Sequence, residues 1–224
     1  MLSNKSITLR IACDGGASSG KSTGSKLISK KYKLFCMNSG LLFRYASQLI
    51  IKNKPKNNVI FLKNKFKTLD YKKIARLNLH SQEISEHVAI LAKQKKVRKI
   101  IRIFQKKIIK KYPRIVVEGR DAASSILKKN YLCAFYFTCS LKVSSYRRWR
   151  DLNKKIPLEE VKKSLKNRTL QDKKRRQNPL IKVPNAVVIR THLLTKKQMI
   201  QKMSKEIDRR LLLKYGSNIK TRKK

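Results

Sequence analysis

Residues Gly15 to Thr23 read GGASSGKST, a GxxxxGK[ST] spacing at the end of an apolar run from Ile7 to Cys13. The spacing restricts the fold because it requires a strand that turns at once into a helix. Gly15, Gly16 and Gly20 permit the turn, and its backbone N–H groups, through Ala17, Ser18 and Ser19, converge on an anion. Lys21 then reaches the outer phosphates. The Ser22 hydroxyl, followed by Thr23, ligates the Mg²⁺ that accompanies them, at the positive end of a helix over Lys21–Lys30. A polyphosphate site at the end of the first strand is the premise for the rest of the chain.

At 224 residues the chain is long enough for one α/β core with a smaller inserted lobe. Cys13, Cys36, Cys133 and Cys139 form no CxxC pair and lie in apolar, strand-like contexts, where a thiol behaves as a small hydrophobe. Inert thiols in a reducing compartment are expected. Lys5 and Arg10 interrupt the apolar N-terminus, and no run approaches the roughly 18 apolar residues a span needs, so a soluble, cytoplasmic protein is expected.

The formal charge of +46, from 58 Lys and Arg against 12 Asp and Glu, raises a nucleic-acid partner as a question. A nucleic-acid site gathers its basic residues on one element or interleaves them with aromatics. These are spread from Lys5 to Lys224 in a chain also rich in Ile and Asn, which favours compositional drift; a specific nucleic-acid partner is not required. Under either reading the field attracts polyanions.

Apolar runs and amphipathic segments alternate along the chain. Ile7–Cys13, Leu34–Met37, Arg114–Val117, Leu132–Thr138 and Ala186–Arg190 read as five strands. Val97, Ile100, Ile101, Phe104 and Ile108 form one helical stripe, and Met199, Met203, Ile207 and Leu211 form another behind a cap at Thr195. This rhythm predicts a three-layer α/β fold: a central parallel five-stranded sheet with helices on both faces and ligands at the carboxyl ends of the strands. The lysine-rich section Ile51 to His87 breaks the rhythm, as an inserted substrate lobe or a loose surface excursion. The tail from Lys214 has nothing to bury and reads as disordered.

Three further clusters fall at the same end of the predicted sheet. Asn38-Ser39-Gly40-Leu41-Leu42-Phe43-Arg44 follows the second strand and Glu118-Gly119-Arg120-Asp121 the third. Arg168, Asp172 and Arg175 are spaced by four and three, on one helical face. Arginines grip phosphate oxygens through paired hydrogen bonds, and their convergence on a glycine loop describes a site for two phosphorylated ligands.

Taken in order, GGASSGKST, NSGLLFR, EGRD and NRTLQDKKRRQNPL, then a proline and the strand AVVIRT, resemble the successive motifs of bacterial cytidylate kinases over almost the whole chain. The resemblance implies a P-loop nucleoside monophosphate kinase fold. Its core would span 1–50 and 113–214 with a short lid within about 150–175, its monophosphate-binding insert 51–112, and its basic disordered tail 215–224. It implies that ATP and Mg²⁺ occupy the glycine loop and that a monomer transfers the γ-phosphoryl group to CMP or dCMP. Carried over by position, Ser39, Arg44, Arg120, Arg168 and Arg175 hold the acceptor phosphate, with Phe43 in the same turn. Asp172, with Arg168, meets the sugar, and Arg98 with Asp121 reads the cytosine edge. Lys21, Arg120, Arg168 and Arg175 are the implied catalytic set.

Several positions depart from the family's pattern. Asn38 stands where Asp is usual, Phe43 replaces a tyrosine, Glu118 replaces the first Asp of DGRD, and Ala123-Ser124 replaces GT. Nine residues before Arg98, where a serine helps read the base, an ungapped comparison finds Ala89, and the section between Arg44 and Arg98 is shorter than typical.

A monophosphate is already an anionic nucleophile, so its phosphorylation depends on alignment and charge neutralisation more than on a general base. His80, His87 and His192 accordingly read as ordinary surface or core residues outside the clusters. Arg147 to Arg150 (RRWR) lead either into the lid or along a solvated basic helix. Two alternatives remain beside the cytidylate kinase: a P-loop kinase of another small acceptor, and a basic RNA-binding protein that keeps the kinase fold.

Overall fold

The computed structural model describes residues 7–216. Five strands, β1 (Leu9–Gly15), β2 (Phe35–Asn38), β3 (Arg114–Gly119), β4 (Cys133–Thr138) and β5 (Val187–Arg190), form one parallel sheet in the order β2-β3-β1-β4-β5. Each expected strand is present, with ends shifted by one or two residues. The register sets Asp14 beside Gly119 and Tyr136, so β1, β3 and β4 end level with one another.

Alternation along the strands divides the core. Ala12, Ile115, Val117 and Ala134 point to one face, where α2 (Ser39–Asn53), α5 (Gln82–Leu91) and α6 (Lys95–Lys111) pack. Leu9, Ile11, Cys13, Val116, Cys133, Phe135 and Phe137 point to the other, against α1 (Lys21–Lys31) and α9 (Lys196–Tyr215). Burial on both faces is why these strands read as unbroken apolar runs. The α6 stripe is buried at Val97, Ile101, Phe104 and Ile108, and all four expected positions of α9 are buried. Thr195 caps α9 in a capping box with Gln198.

The lysine-rich section is ordered helix, and a loose excursion is excluded. Asn57, Asp70 and Ser81 cap α3 (Asn58–Lys67), α4 (Tyr71–Ile74) and α5 through their side chains. Leu62, Phe66, Tyr71, Ile74, Leu79 and Ile84 are buried in the same apolar cluster as the sheet face beneath. Apart from Leu62, which ends the short run Val59 to Leu62, these apolar residues stand apart among polar ones, so no long run announced them. α7 (Leu141–Asp151) and α8 (Leu158–Lys174) pack on each other beyond β4. α9 continues through Lys214 to Tyr215, whose hydroxyl donates to the Thr8 carbonyl at 3.2 Å; the remainder of the expected tail lies outside the described residues.

All four cysteines are free thiols, Cys13 and Cys133 buried and the other two half-buried. Burial pushes Cys36 and Cys133 up to about 12, so neither is a ready nucleophile. Among the described residues, no helix is long and apolar enough to cross a membrane.

Candidate active site

β1 ends against β4 so closely that a Cβ on Gly15 would stand 2.4 Å from the Phe137 carbonyl oxygen. The chain then turns, passes through Gly20 at φ 81°, and enters α1, whose first turn holds no acidic residue. The helix itself therefore brings no carboxylate to its positive end. Thr191, just past β5, steadies the turn: its Oγ1 donates to the Ser19 carbonyl at 2.9 Å and accepts from Arg147 Nη1 at 2.9 Å. Ala17, Ser18, Lys21 and Ser22 line a cleft in front of this turn, which Gly16, the buried Ser19 and Gly20 build from behind. Thr23 faces outward and is exposed.

Lys21 is buried, and its Nζ donates to the Gly16 carbonyl at 2.9 Å. Burial, reinforced by Arg120, lowers it to about 7. The Ser22 hydroxyl donates to Glu118 at the carboxyl end of β3. Glu118 thus reaches the glycine loop, with Ser22 and Glu118 offering hard oxygen donors side by side. No group of three or more His, Cys, Asp or Glu able to hold a metal occurs among the described residues.

The opposite wall comes from β2–α2, α6, the end of β3 and α8. Asn38 caps α2 by accepting the Leu41 N–H at 3.1 Å, so the amide serves the turn where a carboxylate is usual. Ser39 lines the cleft with its buried Oγ unpartnered by protein. Arg44 Nη1 donates to the Leu79 carbonyl at 2.9 Å and to Ser85 Oγ at 3.0 Å. Burial, then Arg168, Arg148 and Arg120, bring Arg44 down to about 9 and Arg168 is likewise lowered to about 10, chiefly by burial. Both remain charged at neutral pH. Arg98 lies over the Phe43 ring at 5.4 Å and donates to Asp121 Oδ2 at 2.7 Å.

Arg120 Nε donates to Asp172 Oδ2 at 2.7 Å, and Arg175 Nη1 lies 3.5 Å from Asp172 Oδ1. Burial alone would raise the Asp172 carboxyl, but Arg120, Arg168 and Arg175 outweigh it and hold it below the usual range. Arg168 and Asp172 share the inner face of α8, while Arg175 is the residue after its last turn, in extended backbone, and still enters the cleft.

Residues 79–151 add groups outside the expected site set. His80 lines the cleft, contrary to its expected place outside the site; burial, then Arg44 and Arg148, lower it. Arg148 of the RRWR segment turns inward and donates to Ser85 Oγ at 3.1 Å, whereas Arg150 is exposed. Only the packing of α7 against α8 brings Arg148 here, and no local spacing signals it. Val88 and Ala92 line the cleft but Ala89 lies outside it, so the position one residue from Val88 offers no polar group to the site. Seven cationic side chains face four carboxylates in the cleft, an excess that fits an anionic ligand.

Behind this wall Asp14 is buried at the end of β1 and accepts the N–H groups of Ala122 and Ala123 at 2.7 and 2.8 Å. Those bonds hold the start of a π-helical turn (Ala122–Ile126) that follows Asp121 directly. Burial outweighs both bonds and raises Asp14 to about 6.

Comparison with known proteins agrees with this architecture. A cytidylate kinase of Clostridium botulinum is 28% identical over 221 residues, covering 91% of this chain and 99% of that protein. The bifunctional pantoate ligase/cytidylate kinase of Prochlorococcus marinus is 33% identical over 216 residues, covering 86% of this chain and 42% of that one. Among solved structures, an uncharacterized protein from Eubacterium ventriosum matches with a TM-score of 0.55 at 15% identity, covering 91% of this chain and 99% of that chain. A Thermus thermophilus protein matches at 0.52 and 17%, covering 91% and 97%. At those identities the two structures share the fold. The model of the family described as cytidylate kinase matches residues 11–209, and the chain belongs to that family.

Proposed function

We propose that this ATP-dependent phosphotransferase moves the γ-phosphoryl group of ATP to CMP or dCMP, giving ADP and the diphosphate. The observation that carries the reading is a single cleft joining the glycine loop to six arginines and the Arg98–Asp121 pair. In this reading residues 51–112 are the acceptor-binding insert and a short lid lies within about 150–175. In this reading the protein acts as a monomer.

The donor triphosphate would lie on the turn at residues 15–20, its outer phosphates against Lys21 and the first turn of α1. Ser22 and Glu118 are the residues that would hold Mg²⁺, whose chemistry is to neutralise phosphate charge. Ser39, Arg44, Arg120, Arg168 and Arg175 would fix the acceptor phosphate in line, with Asp172 keeping Arg120 at its post through their 2.7 Å ion pair. Ser39 Oγ and Arg175 Nη2, both buried without a protein partner, are donors for such an anion. Ionised phosphate needs no base, so His80 is a wall residue. Arg98 and Asp121 would read the base.

A coupled assay with ATP, Mg²⁺ and a panel of nucleoside monophosphates tests this. CMP and dCMP should be turned over with strong preference and UMP clearly less well. Equal turnover of the pyrimidine monophosphates would remove Arg98 and Asp121 from base recognition.

A further inference from the structure

Asp121 is held by more than its cleft neighbour. Arg102, one turn beyond Arg98 on α6, donates from Nη2 to the same Asp121 Oδ2 at 3.0 Å and to Ser125 Oγ at 2.7 Å. Ser125 belongs to the π-helical turn, and its own N–H returns to the Asp121 carbonyl at 3.0 Å. Arg102 is largely buried, with 19% side-chain exposure, and does not line the cleft. It stands behind the carboxylate.

Two guanidiniums at i and i+4 repel one another on a helix, so their adjacency here needs the carboxylate between them. The consequence is an asymmetric Asp121. Oδ2 takes both charged donors, while the nearest cation to Oδ1 is Arg175 Nη2 at 3.8 Å, beyond hydrogen-bond length. One oxygen is committed to the protein and the other is left to a ligand. A carboxylate offers only lone pairs, so Oδ1 suits an exocyclic amine and opposes an exocyclic carbonyl. Those two groups distinguish cytosine from uracil.

We propose that Arg102, braced by Ser125, is a positioning residue for acceptor specificity: it pins Asp121 Oδ2 from behind so that Oδ1 faces the amino edge of the base. The inference rests on the reading of Asp121 as a base-contacting group. Arg102 touches neither substrate and acts through Asp121 alone.

Arg102→Met keeps most of the side-chain volume and removes the donors; Ser125→Ala removes only the brace. For each, kcat and KM are measured with CMP and with UMP at saturating ATP, alongside KM for ATP and the thermal unfolding midpoint. In Arg102→Met the KM for CMP should rise about tenfold or more, with kcat and the KM for ATP within about threefold, as expected when one contact loses its alignment. The preference for CMP over UMP should fall by a similar factor. Ser125→Ala should shift in the same direction by less, and Arg102→Lys should recover part of the loss. Equal losses for CMP and UMP, or unchanged selectivity in a folded Arg102→Met, would overturn the proposal. Should Arg102→Met fail to fold, Ser125→Ala decides by the same ratio. An unmodified protein that prefers CMP while the variants keep that preference refutes Arg102 alone; one that shows no preference refutes the reading of Asp121 as well.

Discussion

Lys21 shows how an anion site stores electrostatic work in one residue. Burial and the neighbouring Arg120 bring it to about 7, so around pH 8 most of it is neutral in the free protein. Phosphate oxygens favour the charged form, and its affinity for a proton must rise when they arrive. Nucleotide binding should therefore take up nearly one proton around pH 8 and almost none around pH 6, with ATP affinity falling as pH rises above about 7. Calorimetric titrations in two buffers of different ionisation enthalpy measure the uptake, and Lys21→Met should abolish it. A proton count that does not change with pH would show that Lys21 is already charged in the free state. Much of this residue's role was legible because its neighbours in sequence, from Gly15 to Ser22, are also its neighbours in space. His80 was read outside the cleft for the opposite reason, and the RRWR run did not say which of its arginines turns inward: both residues enter from segments placed by long-range packing.

Elements are placed by contacts that single residues can break. Gly24 in α1 lies on the Phe137 ring of β4; a Cβ there would stand 2.6 and 2.7 Å from ring atoms and 3.3 Å from Met203 Sδ. Alanine would gain about 1 kcal/mol of helix propensity, but overpacking against a fully buried strand residue costs about 1–3 kcal/mol. We expect Gly24→Ala to be net destabilising, with an unfolding midpoint lower by a few degrees, and Phe137→Leu to relieve part of the loss in the double variant. Additive losses would place the strain elsewhere. The five strands could be read as apolar runs, α1 from the glycine-loop spacing, and α6 and α9 from periodicity because each of these two helices buries a regular stripe. α3, α4 and α5 could not, since α3 and α4 are short and bury only two residues each among lysines and α5 is a ten-residue segment that gives little periodicity, and their three side-chain caps became informative only once the helices were known.

The whole molecule carries its charge unevenly along the chain. From residue 15 to residue 69 there is no acidic side chain, so the glycine loop, α1, α2 and α3 contribute positive charges only. Such a field concentrates anionic substrates and is screened within about 10 Å at 0.1 M salt. The ratio kcat/KM for CMP should therefore fall about tenfold between about 0.02 and 0.3 M salt while kcat holds, a dependence that steady-state kinetics at graded ionic strength measures. A flat kcat/KM would confine the charge to local pairings. The family was recognisable across the chain because three of its motifs sit at strand ends, which the parallel sheet aligns, and the fourth lies on and just past α8. The link between those ends was hidden, for Asp14 lies one residue before the glycine loop and 108 positions from the backbone it holds. Any exchange of the turn at residues 119–126 for that of another kinase would have to match a carboxylate on a different strand. Retargeting this enzyme to a new acceptor is in that sense a two-strand problem, and grafts that ignore β1 should fail at assembly before they are ever tested for specificity.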